Sequence, residues 1–488
     1  MEAAHIIIMV LAWLVGIVML MLFILFLQDI FQQESAVRRN FPVVGRLRYF
    51  LERQGEYFRQ YFFADDREEL PFNRATRTWV YRTAKNLGGI IGFGSTNDLR
   101  EPGSIIFINS PYPILEDECT PAPALVVGPQ CLHPFEARHI ANISGMSFGA
   151  LSVPAVRALS LGAGQAGIWM NTGEGGLAPY HLEGDCDLIF QIGTAKYGVR
   201  DQQGRLSDAR LREVAQYVKA FEIKLSQGAK PGTGGLLPAC KVTEEVARIR
   251  GIPVTVASRS PNRHVEIRVP DDLLDMIQHI RELTGRPVGI KTVIGSAIYP
   301  QQLCAAILRR GPGSAPDFIT VDGGEGGSGA APQVLADHVG LPLSESLPIV
   351  IDVLAAAGLR ERIRVIASGK LVTSAKVAWA LCMGADFTVT ARGFMFSLGC
   401  IQSMQCHLDT CPTGVTTHNP RLQKGLVVSH KSERVANYAR SLNHDVDVLA
   451  HSCGLANARQ FGRQHARIVQ LAGHSIPLDE LYPGQGAT

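Results

Sequence analysis

Between residues 139 and 393 the chain alternates short apolar runs with helical stretches, and this alternation constrains the fold more than any other feature. The runs are "HIANISGMSFG", "IWMNTGEGG", "LIFQIG", "FEIKLSQGAKPG", "VGIKTV", "DFITVDGGEGGSG", "RVIASGK" and "FTVTARG". Most end in polar or glycine-rich loops. Between several of them, "DARLREVAQYV" (208–218), "DDLLDMIQHIREL" (271–283) and "TSAKVAWALCMGA" (373–385) repeat apolar residues at helical spacing. Eight β segments, mostly followed by helices, over about 260 residues is the arithmetic of an α/β, (β/α)8 TIM barrel. A doubly wound open sheet competes with it, but that fold places a G-x-G-x-x-G loop after its first strand, and none stands there.

The N-terminus predicts a membrane anchor. Ile6 to Leu27 are twenty-two uncharged, almost wholly apolar residues, long enough as a helix to span a bilayer core of roughly 30 Å. A cleavable signal peptide fits less well, because no Lys or Arg precedes the run and no A-x-A site follows it. Arg38, Arg39, Arg46 and Arg48 follow the span, so the positive-inside rule puts the body in the cytoplasm, behind a single pass. The expected organisation is an anchor at 1–27, a juxtamembrane cap at 28–110, the barrel at 111–430 and a helical extension at 431–488. For the cap, packing on the following domain is preferred over contact with lipid headgroups. In a cytoplasmic body the ten cysteines are reduced thiols or metal ligands. A net charge of +3, dispersed along the chain, argues against nucleic acid.

In such a barrel, chemistry belongs at the C-terminal ends of the strands. The second strand delivers Asn171, Thr172 and Glu174; the fourth Lys224, Gln227 and, soon after, Lys230; the fifth Lys291; the sixth Asp322 and Glu325, among glycines that include Gly323 and Gly324. Lysines ending two strands need anionic partners if buried. Their shared role is to hold an anionic ligand or a reduced, anionic ring; ion pairs with Glu174 and Asp322 that merely brace the mouth are the competing role. The loops "SGKLVTSAK" (368–376) and "TARGFM" (390–395) combine Gly369, Lys370, Ser374, Arg392 and Gly393 where barrels often bind a phosphate. Flavin mononucleotide (FMN) fits this arrangement. A sugar phosphate fits the loops too, but leaves the next feature unexplained.

That feature is "GCIQSMQCHLDTCPTGV" (399–415), with Cys400, Cys406 and Cys411. Three thiolates in such a loop suit an iron–sulfur cluster, and three ligands without a close fourth suit a three-iron form. Zinc with His407 and inert thiols remain alternatives; the C-x5-C-x4-C spacing is poor for paired zinc knuckles.

Together, "ISGMSFGALS", "NTGEGG", "KLSQGAKPGTGGLLP", "DGGEGGSGAAP", "SGKLVTSAKVAWALCMGAD" and "CIQSMQCHLDTCPTGV" resemble the FMN-binding synthase domain of glutamate synthase, in the same order, from about residue 100 to about 460. The resemblance implies a [3Fe–4S] cluster on Cys400, Cys406 and Cys411. It also implies FMN, with Met146 and Ser147 contacting the ring by their backbone and Lys291 near its pyrimidine side. The implied reaction is reduction of 2-iminoglutarate, formed from 2-oxoglutarate and ammonia, to L-glutamate. Glu174 would orient the nitrogen, and Lys224 or Lys230 would pair with a substrate carboxylate, with Gln227 beside them.

The chain departs from the family pattern. It starts Met1-Glu2, without the N-terminal catalytic cysteine of a glutaminase domain, and ends at Thr488 without a glycine-rich β-helix. The expectation is therefore ammonia from solution or a glutaminase partner, and electrons from a ferredoxin, a reductase subunit or a membrane carrier. "SRSPNRHVEIRVPDDL" (258–273) replaces a segment expected to be richer in histidine and proline, which leaves a related keto acid or a methylated amine open. Two other functions compete: an FMN-dependent dehydrogenase of another amino or hydroxy acid, and a membrane-tethered electron relay. A relay has no need for Glu174, Lys224, Gln227 and Lys230 together.

Overall fold

The computed structural model describes residues 2–484. The chain divides into two compact units, one ending at Arg77 and the other beginning at Thr78.

In the first unit the apolar run extends into a helix, Glu2–Phe31. Its most apolar 18-residue window has a mean hydropathy of 3.0 and is not buried by protein, so the helix is long and apolar enough to cross a membrane. Two further helices follow, Ala36–Asn40 and Val44–Phe58, the latter running into a wider turn over Arg59–Phe63. The Ser35 hydroxyl caps the first of them, accepting from the Arg38 amide at 3.3 Å.

The second unit is built on a closed, all-parallel barrel of eight strands. In chain order they are β1 (Ala141–Ile143), β2 (Met170–Asn171), β3 (Leu188–Ile192), β4 (Ala220–Lys224), β5 (Val288–Thr292), β6 (Phe318–Asp322), β7 (Arg364–Ser368) and β8 (Phe387–Thr390). Each falls within one of the eight apolar runs, except that β4 starts one residue early, at Ala220. Closure sets Thr388, Val389 and Thr390 of β8 beside Ala141, Asn142 and Ile143 of β1. Both faces of the strands are covered, which explains why they read as continuous apolar runs instead of alternating ones. The helices at Asp208–Ala215, Pro270–Thr284 and Ser374–Cys382 lie where the sequence periodicity puts them.

The N-terminal end of the barrel is plugged. A hairpin of Leu125–Val127 and Phe135–Ala137 packs Val127 and Phe135 against Trp169, Phe318 and Phe387, residues that precede or open β2, β6 and β8. Trp169 meets Phe387 edge-on, with ring centroids 4.9 Å apart. Beside the plug, the buried Asp317 carboxylate accepts from Arg281 Nε at 3.0 Å, Arg362 Nη2 at 3.0 Å and the Val288 amide at 2.9 Å. A sealed base leaves the opposite rim for chemistry.

After β8 the chain forms a long helix, Val428–Ser452, which packs on the helix Val153–Ala166. Its Asn443 side-chain oxygen accepts the Ile140 and Ala141 amides, both at 3.1 Å. Beyond Ser452 the expected helical extension gives way to β structure: Ala466–Val469 pairs with Ile105–Phe107 on one side and Ser475–Pro477 on the other.

Candidate active site

A cavity of about 930 Å³, counting the solvent at its mouth, opens over the C-terminal ends of the strands. Glu174, Lys224, Gln227 and Lys230 all line it, as do Met146 and Ser147 of the loop after β1, Arg392 and Cys406. The residues that sequence patterning selected from three separate strand ends thus share one wall.

The charges there are unbalanced. Lys224 Nζ lies 3.0 Å from Glu174 Oε1 and donates to Gln227 Oε1 at 2.9 Å. Gln227 Nε2 in turn donates to the Gly327 carbonyl at 2.8 Å, tying the loop after β4 to the loop after β6. Burial pushes the Glu174 carboxyl up, but Lys224, Lys230 and Arg250 outweigh that and hold it at about 2. Lys230 moves the other way, to about 8: burial disfavours its ammonium form, Glu174 favours it, and Lys224 and Arg250 repel it. Three cations therefore surround one carboxylate in a cavity of limited exposure. Such a site has room for an anion with more than one charge.

Arg250, Tyr197 and Lys241 also line the cavity, and the sequence reading did not select them. Arg250 donates to the Phe148 carbonyl at 3.0 Å and to Ser258 Oγ at 3.4 Å, and its guanidinium stands 5.2 Å from the centre of the Tyr197 ring. Its Nε is buried without a partner. Arg250 ends a surface-type helix, Glu244–Arg250, and no local motif marks it. A second missed residue, Glu222, did leave a signal: a charged residue two before Lys224 in an otherwise apolar strand. Its carboxylate lies inside the barrel and accepts from Asn171 Nδ2 (2.9 Å), Gln191 Nε2 (2.7 Å) and Thr320 Oγ1 (2.6 Å).

Other selected residues lie beneath or beside the cavity. Asn171 spans Glu222 and the Gly173 amide, while the Thr172 hydroxyl bonds the Gly173 carbonyl and the Gln191 amide. Lys291, beside Lys224 in strand register, is 3.5 Å from Asp322. Asp322 also accepts from the Gly228 amide at 2.8 Å and Ser368 Oγ at 2.6 Å. Both lysines that end strands thus have the carboxylate partners considered for them, yet Lys230 and Arg250 leave the mouth in cationic surplus. Gly323 and Gly324 donate backbone bonds to Ser368 and Leu341. At the loop after β7, Gly369 and Lys370 precede the helix Ser374–Cys382, which carries Lys376, exposed at its tip; partial desolvation and the Lys370 charge lower its affinity for a proton, against a weaker pull from Glu325. Gly393 serves packing: a side chain there would strike the Tyr438 hydroxyl.

The cysteine loop adjoins this cavity through Cys406. All ten cysteines are free thiols. Cys400 is buried, which raises its pKa, and Arg392 opposes that while Cys406 and Cys411 reinforce it, so the three sulfurs lie within electrostatic reach of one another. Cys411 is pulled down in spite of burial by hydrogen bonds from Thr413 and Thr416. Lys241 Nζ is buried among three backbone carbonyls, Ala150 (2.7 Å), Thr416 (2.9 Å) and Cys406 (3.1 Å), so one ammonium joins the loop after β1 to the cysteine loop. The Tyr81 hydroxyl donates to the Cys400 carbonyl at 2.6 Å. Among the described residues, no three His, Cys, Asp or Glu side chains already stand at the spacing of a metal site.

Comparison with known proteins gives one consistent result. The family profile described as "Conserved region in glutamate synthase" matches residues 115–456. The glutamate synthase large subunit-like protein YerD of Bacillus subtilis (strain 168) is 40% identical, with 98% of each chain covered. The archaeal-type glutamate synthase (NADPH) of Thermotoga sp. (strain RQ2) is 33% identical over 68% of this chain, which spans 62% of that relative's length. A glutamate synthase large subunit-like protein of Rhizobium meliloti (strain 1021) is 28% identical over 86% of this chain and 96% of its own.

Proposed function

The chain belongs to the glutamate synthase family, and we propose that it is an FMN- and iron–sulfur-dependent oxidoreductase that aminates 2-oxoglutarate reductively to L-glutamate, using ammonia and electrons from a partner. One observation carries the reading: Lys224, Lys230 and Arg250 gathered around the lone carboxylate of Glu174, at the C-terminal rim and next to the cysteine loop. A dicarboxylate keto acid supplies the two negative charges this arrangement is short of. Lys230 and Arg250 hold its carboxylates. Glu174, kept ionised by its neighbours, accepts hydrogen bonds from ammonia or from the imine N–H and so orients the nitrogen. Gln227 fixes the loops on either side, and the buried wall keeps water from hydrolysing the imine.

The residues fit FMN. The ammonium groups of Lys370 and Lys376 at the start of the helix Ser374–Cys382 suit its phosphate, and the repulsion between these two neighbouring lysines, which an anion there would relieve, is the observation that favours this. Met146, Ser147 and Lys291 are assigned to the ring, with Asn171, Thr172, Asp322, Gly323, Gly324, Gly369, Arg392 and Gly393 supporting the same site. When bound, FMN would supply the hydride that reduces the imine carbon. Cys400, Cys406 and Cys411 are assigned to a [3Fe–4S] cluster; their mutual electrostatic proximity, in a loop with no disulfide, is the fit. The helix Glu2–Phe31 is assigned to a single membrane pass with the body in the cytoplasm.

The test is anaerobic. The purified protein is reduced and then mixed with 2-oxoglutarate and ammonium; recovery of flavin absorbance together with glutamate is expected. Recovery with a quinone or a ferredoxin but not with that pair overturns the synthase reading in favour of an electron relay. A paramagnetic resonance signal of a three-iron cluster, lost on Cys406→Ser, is expected in the protein as isolated.

A further inference from the structure

The helix Val44–Phe58 carries a strong asymmetry that the barrel chemistry does not use. At 100° per residue, Val44, Leu47, Phe50, Leu51, Tyr57 and Phe58 fall within an arc of about 140°. All six are exposed, between 49% and 71%. Gln54 is the one polar residue inside the arc; Arg48 borders it on one side, Arg46 and Arg53 on the other.

Other faces of the helix tie it into the same unit, although Glu52 and Glu56, opposite the arc, stay exposed. Arg46 Nε donates to both oxygens of Asp29, at 2.8 and 3.0 Å, and Asp29, wholly buried, also accepts the Val43 amide at 3.0 Å. The Tyr49 and Ser35 hydroxyls are 2.7 Å apart. Gly45 sits so close to the Val37 carbonyl that a Cβ would lie 2.9 Å from it. Asp29 belongs to the last turn of the apolar helix Glu2–Phe31, two residues after the uncharged run ends. The short helix is therefore clamped to the point where the long helix would leave a bilayer. Its apolar arc starts beside Arg46 and points away from Gly45 and Tyr49.

We propose that Val44–Phe58 is an interfacial helix that lies in the headgroup layer of the same membrane that Glu2–Phe31 crosses, apolar arc toward the acyl chains, with Arg48 and Arg53 reaching lipid phosphates. The proposal rests on the reading of Glu2–Phe31 as a membrane span. The occupant is lipid because the Asp29–Arg46 contact holds this exposed apolar stripe at the end of that span, and because arginines on both sides of the stripe match the charge pattern of a bilayer boundary. The Asp29–Arg46 pair acts as the positioning element, and burial makes it costly to break.

The full chain is reconstituted in vesicles of mixed zwitterionic and anionic phospholipid brominated near the top of the acyl chain. Flotation of the vesicles reports the span. Tryptophan emission of Phe50→Trp and Arg53→Trp, each measured as the difference from the unsubstituted chain, reports the helix. Quenching of the tryptophan at 50 and not of that at 53, weaker with bromine deep in the chain, is expected for burial of about 5–10 Å. Adding Leu47→Glu and Leu51→Glu to Phe50→Trp should abolish the quenching while the protein still floats. Flotation with no quenching at 50, even with blue-shifted emission from a protein contact, overturns the interfacial placement alone. Equal quenching at 50 and 53 overturns its sidedness. Failure to float removes the span and the proposal with it.

Discussion

The two ends of the barrel use the same residue types to opposite effect. At the base, Asp317 faces Arg281 and Arg362, and its oxygens are filled by those two groups and a backbone amide. Arg281 spends its remaining donors on the Gly313 and Ala315 carbonyls. At the rim, Glu174 faces Lys224, Lys230 and Arg250, and the cations outnumber what one carboxylate can neutralise. A carboxylate whose oxygens are filled and which no cavity reaches is structure; one ringed by cations at the mouth of a cavity is a binding site. The difference is one of access as much as of balance, since Arg362 Nε and Nη1 at the base are also buried without partners.

That contrast can be broken most forcefully at the base. Asp317→Ala leaves two buried guanidinium groups without their anion and is expected to cost about 3–5 kcal/mol, read as a lower midpoint in denaturant unfolding. The matching change at the rim, Glu174→Gln, should lower the unfolding midpoint by less than Asp317→Ala, because solvent reaches the cavity, and lower kcat by roughly 10²–10³-fold, the scale of removing one oriented polar contact to a reacting group. If Glu174→Gln unfolds the protein as Asp317→Ala does, the distinction between the two ends fails. A smaller effect sharpens it further. Lys230 titrates at about 8 in the folded protein, below the ordinary 10.5. Between those values the unfolded chain binds more protons than the folded one, so this group's burden on stability lightens as pH rises through that window. Binding of a dicarboxylate must go the other way. Its affinity should fall as pH rises above about 8, and Lys230→Met should weaken binding and flatten that limb, which titration calorimetry across the range would reveal. The smallest expected change is Gln227→Ala, which removes the tie between two rim loops and should cost about 1 kcal/mol of stability.

What could be read from the sequence divides along similar physical lines. The strands were legible because a barrel buries both faces of each, leaving eight apolar runs. Lys224 and Lys291 were legible because an ammonium at the end of such a run needs an anionic partner nearby. The cysteine loop is local, and its spacing survives intact in the chain. Arg250 was not legible: it reaches the cavity from the end of a separate helix, a placement that only long-range packing decides. The small sheet after Ser452 escaped for the same reason, since Ala466–Val469 finds its partner in Ile105–Phe107, far back along the chain. Asp29, one charge at the tail of an apolar helix, carries no local signal of its role as the anchor point for Arg46.

Barrel closure also sets a clock. Strand β8 pairs with β1 through Thr388 and Ala141, positions 247 residues apart. At roughly 5–20 residues per second, synthesis needs about 12–50 s to pass from one to the other. Throughout that interval a row of unpaired backbone groups on β1 waits for its neighbour. The apolar segment Glu2–Phe31 has left the ribosome well before then, while the barrel is still an open, adhesive sheet.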